Sequence, residues 1–197
     1  MSYRSSRSDN IVPILAIIVL CFLVYIATEA AARLMGYNLI QLLGLQTASF
    51  LAQPWTILTN LFVHGGIWHL VFNMLTLYFF GTFLIRLIGI RDFLIIYFGG
   101  GILGNVFFML LGSPFAIVIG ASGAVFALGG ALAVLTPRLR VYVFPIPAPI
   151  PLWAAVLGVF VIMSFVPGIA WQGHLGGLVF GLIYGLVLRR RIRIPLS

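Results

Sequence analysis

Six strongly apolar runs follow one another along this chain, at about residues 11–32, 67–87, 93–111, 115–135, 152–166 and 171–188. No other feature restricts the fold so much. The chain has 197 residues, of which 62% are hydrophobic and only 7% charged, and an aqueous domain of that size cannot hide so much apolar surface. Lipid must be the main solvent. Inside a bilayer every main-chain polar group has to be satisfied within the protein, and a helix does this within one segment. The expected architecture is an all-α membrane protein, a bundle of six transmembrane helices.

The few charges orient that bundle. All eleven basic residues are arginines, and the net charge is +8. A nucleic-acid surface would gather them on one face; here they stand at the ends of apolar runs and read as topology signals. With six crossings both termini share a side. Arg4, Arg7, Arg86, Arg91, Arg138, Arg140, Arg189, Arg190, Arg191 and Arg193 then lie together, and only Arg33 lies opposite. That imbalance makes the termini cytoplasmic. Residues 1–10 read as a disordered cytoplasmic tail, 11–189 as the membrane domain and 190–197 as a basic cytoplasmic tail. Ala30-Ala31-Ala32 resembles a signal-peptide cleavage site, but the first run is long for that and is expected to be retained.

The connections follow from composition. Residues 34–64 are half polar and suit an interfacial loop with short helices. Residues 89–92 read as a tight turn, and Gly112-Ser113-Pro114 as another. Residues 136–151 carry Pro145, Pro147, Pro149 and Pro151 and read as a loop. Cys21 is the sole cysteine, so there is no intramolecular disulfide and no cysteine-based metal site.

The polar residues inside the runs carry the chemistry. The three histidines are His64, His69 and His174, and Ser122 sits in Gly120-Ala121-Ser122-Gly123. The second, fourth and sixth runs all cross from outside to inside, which puts His69, Asn73, Ser122 and His174 in the outer half of the membrane. His69 and Asn73, four apart, share one helical face. Groups this polar normally face the bundle interior or a water-filled cavity. A Gly-x-Ser-Gly alone is most simply a small-residue helix-packing motif. A zinc site would need further ligands than three scattered histidines. A proton path would want intramembrane carboxylates, which the interior runs lack. Serine nucleophilic catalysis needs a hydroxyl, a base and oxyanion donors, and Ser122, His174, His69 and Asn73 supply those types. No acid is placed to orient the base, so the pair would be a dyad.

That chemistry constrains the fourth run. In one straight helix over 115–135 the Ser122 N–H would be engaged by Val118. An oxyanion donor must be free, which requires Ser122 in the first turn of a helix. The expected chain is therefore non-helical over 115–119 and breaks at Gly120. The helix proper runs from about residue 121 to 135, roughly 22 Å at 1.5 Å per residue.

Three segments together carry a resemblance: His64-Gly65-Gly66-Ile67-Trp68-His69-Leu70-Val71-Phe72-Asn73, Gly120-Ala121-Ser122-Gly123, and Ala170-Trp171-Gln172-Gly173-His174-Leu175-Gly176-Gly177. In this order and on these runs the chain resembles the rhomboid intramembrane serine proteases, in their basic six-span prokaryotic form. The resemblance implies Ser122 as nucleophile and His174 as general base. It implies an oxyanion site of His69, Asn73 and the Ser122 backbone N–H. Phe126 matches the aromatic position that packs on the catalytic histidine, Gly177 and Gly181 match small positions between spans four and six, and His64 matches a structural polar position. Gly120 and Gly123 flank the nucleophile. The implied activity is cleavage of transmembrane substrates near their outer ends, without metal, nucleotide or other cofactor. The implied setting is the plasma membrane, with the lipid bilayer and substrate helices as partners. A catalytically inactive relative that binds membrane proteins or serves quality control is the alternative. Two family motifs depart: Trp-Arg is here Trp55-Thr56, and Glu-Arg is here Ile85-Arg86.

Overall fold

The structure is a computed structural model that describes residues 10–143 and 146–192. The N-terminal tail reading, and the end of the C-terminal one, lie outside the described residues. Helix α1 spans Val12–Met35. Pro13 suits its first turn, where an N–H would have no partner. It ends at Gly36, which is left-handed at φ 66° and lets the Tyr37 amide reach back to the Ala31 carbonyl at 3.0 Å.

The connection that follows holds α2 (Ile40–Leu43), the short strand β1 (Leu45–Gln46), a 3-10 turn at Thr47–Ser49, α3 (Thr56–Thr59) and a second 3-10 turn at Asn60–Phe62. Two long helices come next, α4 (Ile67–Ile88) and α5 (Ile90–Leu111). The turn between them is tighter than residues 89–92: Gly89 alone separates the helices, at φ 92°. Asp92 then falls in the first turn of α5, where a negative charge complements the helix dipole.

The fourth apolar run is not one helix. Residues 115–119 are not helical: the Ala116 amide closes a turn on the Ser113 carbonyl at 3.2 Å, and β2 (Ile117–Val118) pairs antiparallel with β1, Leu45 opposite Val118 and Gln46 opposite Ile117. Helix α6 begins at Ser122 and ends at Leu135. A hairpin, β3 (Arg140–Val141) with β4 (Ile150–Pro151), leads to α7 (Leu152–Ser164), and α8 (Trp171–Ile192) ends the described residues.

Among the described residues four helices, α1, α4, α5 and α8, are long and apolar enough to cross a membrane. At 14 and 13 residues, α6 and α7 are about 21 and 20 Å long, short of a hydrocarbon core of about 30 Å. Helix α6 is nevertheless the centre of the bundle. Ala124, Ala127, Leu128, Ala131 and Leu132 are buried, and α6 packs most extensively on α8 and α5, then on α4 and α7. The α6–α8 contact depends on glycine: a Cβ at Gly177 would strike the Gly123 carbonyl, and one at Gly181 the Ala127 carbonyl. Small residues permit this close approach, which is the main source of helix cohesion in lipid. The outward faces are apolar, with Leu23 and Ile26 on α1, Phe72 and Phe79 on α4, and Ile183 on α8 exposed. By contrast, α7 buries only Leu152, Ala155 and Val156.

The two departing motifs have local substitutes. Trp55 donates its indole N–H to the Leu42 carbonyl at 2.9 Å, and the buried Thr56 donates its hydroxyl to the Gln53 carbonyl at 2.6 Å. Ile85 is fully buried in the apolar core.

Candidate active site

Ser122 is the first residue of α6, and its neighbours on the N-terminal side are tied down one by one. The Gly120 amide donates to the Asn60 carbonyl at 2.9 Å. The Ala121 amide points to His64 Nε2 at 3.5 Å. The Ser122 amide makes no bond to the Val118 carbonyl, because residues 117–118 belong to β2 and not to the helix. It is therefore one of the free N–H groups of a helix N-terminus, where the dipole favours negative charge. Gly120 is needed twice over. Its φ is 114°, and a Cβ there would lie 2.8 Å from the His69 ring.

Side chains from three helices, α4, α6 and α8, meet around Ser122. His174, in the first turn of α8, places Nε2 2.8 Å from Ser122 Oγ. Phe126, one turn after Ser122, lies against the His174 ring with centroids 4.6 Å apart and planes inclined by 32°. His69 and Asn73 stand on the inward face of α4, and both line the same cavity as Ser122 and His174. Asn73 donates one Nδ2 hydrogen to the His69 carbonyl at 2.8 Å, which leaves its second hydrogen as a donor toward the cavity.

His64 sits behind these groups. It is 1% exposed, and its ring meets that of His69 edge-on at 5.0 Å. Its Nδ1 lies 3.3 Å from the Phe62 carbonyl, so Nδ1 carries the proton and Nε2 accepts from Ala121. Burial, joined by repulsion from His69 and opposed by the Phe62 carbonyl, pushes His64 down to about 4. The neutral tautomer is the one that fits both neighbours.

Among the described residues no carboxylate bonds to His174. Of the described acids, Asp92 accepts the Tyr184 hydroxyl at 2.9 Å, and Glu29 pairs with Arg33 at 2.8 Å. His174 Nδ1 is buried with no hydrogen-bond partner. The ring is oriented by packing on Phe126 instead of by an acid.

The cavity above Ser122 has a volume of about 1230 Å³. It extends from the Ser122–His174 pair between α4 and α7, past Phe72 and Phe79 on one wall and Val159 and Met163 on the other. Such an arrangement offers a hydroxyl with a base in hydrogen-bond reach, and donors grouped beside it, in a hollow lined by apolar walls. Sequence reasoning singled out Ser122, His174, His69, Asn73, Phe126 and His64, which the structure brings close together. It missed the part played by Asn60 and Asn105, whose carboxamides bond to each other, with Asn105 lining the same cavity. The signal was present: a carboxamide in the middle of an apolar span, as Asn105 is, demands a buried partner.

The Rhomboid domain family matches this chain over residues 51–191. The chain belongs to the rhomboid family. Among curated rhomboid proteins, it is 31% identical over 147 residues to Rhomboid protein 1, mitochondrial, of Saccharomyces cerevisiae, covering 70% of this chain and 42% of that one. It is 35% identical over 144 residues to Rhomboid protease GluP of Bacillus subtilis, covering 70% of this chain and 27% of that one. It is 35% identical over 95 residues to Putative rhomboid protease YdcA of the same organism, covering 48% and 44%. The chain thus spans less than half the length of each of these relatives. The family and the apolar helices together make it a multi-pass membrane protein.

Proposed function

We propose that this rhomboid is an intramembrane serine endopeptidase that uses a Ser122–His174 dyad to cut transmembrane segments near their outer ends. The observation that carries the reading is the 2.8 Å contact between Ser122 Oγ and His174 Nε2, made at a helix N-terminus whose Ser122 amide is free. Ser122 Oγ attacks the substrate carbonyl carbon while His174 Nε2 takes the hydroxyl proton. The carbonyl oxygen becomes an oxyanion that accepts from the Ser122 amide, the second Nδ2 hydrogen of Asn73 and the His69 ring. As the tetrahedral adduct collapses, His174 returns the proton to the departing amine nitrogen, leaving an acyl-enzyme. Water then attacks the ester, with His174 again taking and returning a proton. These steps need no metal or cofactor.

The substrate must be locally unfolded, because a helical carbonyl is already bonded four residues on. Small or helix-breaking residues near its outer end lower that cost. The opening between α4 and α7 gives a helix in the bilayer a lateral route to Ser122, and the loop at residues 165–170, which leads into α8, caps the hollow. Six crossings, two of them made by the short α6 and α7, put both termini in the cytoplasm of a plasma membrane, supported by the arginines at one end of the bundle. The catalytic domain spans residues 11–189, flanked by tails.

The test is labelling by a serine-directed fluorophosphonate, with Ser122→Ala alongside. The wild-type protein is expected to be labelled and to cleave a transmembrane substrate in proteoliposomes. The alanine variant should fold and do neither. Labelling or cleavage that persists in Ser122→Ala refutes the nucleophile; a folded wild type that does neither is the inactive membrane-protein-binding relative instead.

A further inference from the structure

Two consecutive residues of α5, both on the wall of the cavity, connect to the two halves of the Ser122–His174 pair. Gly104 lies under the residue that precedes the histidine: a Cβ there would be 2.5 Å from the Gly173 carbonyl. Asn105 reaches the serine side through Asn60. Asn60 Nδ2 donates to Asn105 Oδ1 at 2.8 Å, and Asn105 Nδ2 donates back to Asn60 Oδ1 at 2.9 Å. The second Asn105 Nδ2 hydrogen goes to the Ile57 carbonyl at 2.8 Å. Asn60 and Asn105 are 1% and 5% exposed. The main-chain carbonyl of Asn60 then accepts from the Gly120 amide at 2.9 Å, two residues before Ser122.

The closed ring of two hydrogen bonds requires a donor and an acceptor on each side, which a pair of primary carboxamides supplies. Broken on one side, it leaves buried polar atoms unpaired, so the arrangement holds one register rather than a range. The 3-10 turn at Asn60–Phe62 has no side-chain cap of its own, and its first residue is fixed by this ring. Gly120 at φ 114° is a position where the chain is otherwise free to rotate.

We propose that the Asn60–Asn105 pair is a positioning element that sets Ser122 against His174. Helix α5 thereby governs the reactivity of the dyad without contributing a reacting atom. The inference rests on the serine-protease reading above.

Two substitutions test it, read by the rate of fluorophosphonate labelling at Ser122 and by cleavage kinetics. Asn105→Leu keeps the volume and removes the ring. It is expected to slow labelling and kcat about tenfold or more, since a small misplacement of reacting groups is costly, with KM within about twofold of wild type. Asn105→Asp makes the ring titratable. A neutral carboxyl donates its O–H to Asn60 Oδ1 and accepts from Asn60 Nδ2; an ionised one has no donor and faces an oxygen. Its labelling rate, taken relative to wild type at each pH, should fall as pH rises and recover on acidification. A cavity or folding defect has no reason to reverse in that direction. Wild-type labelling in Asn105→Leu, or a loss confined to KM, overturns the proposal. If the leucine variant fails to fold, the aspartate variant decides, and a ratio to wild type that is flat with pH overturns it. A wild type labelled no better than Ser122→Ala sinks the protease reading and this inference with it; a labelled wild type with unaltered Asn105 variants sinks this inference alone.

Discussion

The Phe126 ring packs against the His174 ring, 4.6 Å centroid to centroid with the planes inclined by 32°. His174 Nδ1 is buried and unpartnered, so nothing but packing and the Ser122 hydroxyl selects the ring's orientation. Phe126 is itself held edge-on by Phe160 of α7 at 5.9 Å. Helix α7 borders the opening of the cavity, so the helix beside the proposed substrate route also supports the proposed base.

Replacing Phe126 tests this. Aromatic pairs contribute about 0.5–1.5 kcal/mol beyond the area they bury, and a misplaced base loses far more in rate than in binding. Phe126→Leu, which keeps most of the volume, is expected to lower kcat about tenfold or more and leave KM nearly unchanged. Phe126→Tyr should stay close to wild type. The measurement is steady-state cleavage of a transmembrane substrate in proteoliposomes. Equal kcat values in the leucine and wild-type proteins would remove Phe126 from the mechanism.

Asn73 is expected to act late in the reaction coordinate. It already gives one hydrogen to the His69 carbonyl, which fixes the carboxamide on the cavity face of α4. Its second hydrogen gains most when charge develops on the substrate oxygen. Losing one oxyanion donor costs about 10²–10³ in rate, roughly 2.7–4 kcal/mol. Asn73→Ala is therefore expected to lower kcat by about 10² while KM changes little. A rise in KM with kcat intact would move Asn73 from the oxyanion site to substrate docking.

The legible parts of this molecule are those that lipid dictates. Apolar runs, arginine placement and turn glycines gave the long helices within a few residues, because a bilayer leaves the main chain few alternatives. The break before Ser122 was legible for a chemical reason, since an oxyanion donor must be unbonded. The β1–β2 pairing that carries the break was not. Leu45 and Val118 are far apart in sequence, and two-residue strands have no periodicity to read. The Asn60–Asn105 ring was hidden in the same way. Each carboxamide signals the need for a partner, but only the packing of the α1–α4 connection on α5 selects which one. Gly89 illustrates a smaller limit: composition marked a turn, and the φ of 92° shows that one residue makes it.

The final expectation concerns pH and His64. The ring is buried and neutral, between the Phe62 carbonyl and the Ala121 amide. Burial pushes its pKa from 6.5 down to about 4, so the unfolded chain binds the proton more readily than the folded one. Between those values the unfolded state carries more protons, and stability rises with pH. This contribution is fully present above the unfolded pKa of 6.5 and is lost progressively as pH falls toward about 4. Protonation also puts a second N–H on Nε2, facing the Ala121 amide, which turns an acceptor into a competing donor beside the strand that leads into Ser122. Thermal unfolding in detergent should therefore shift to lower temperature as the solution is acidified from neutral. His64→Gln can still accept from Ala121 through its carboxamide oxygen but does not titrate, so its unfolding temperature should fall less steeply over the same range. Parallel slopes in the two proteins would show that the acid sensitivity lies elsewhere and that His64 is not its source.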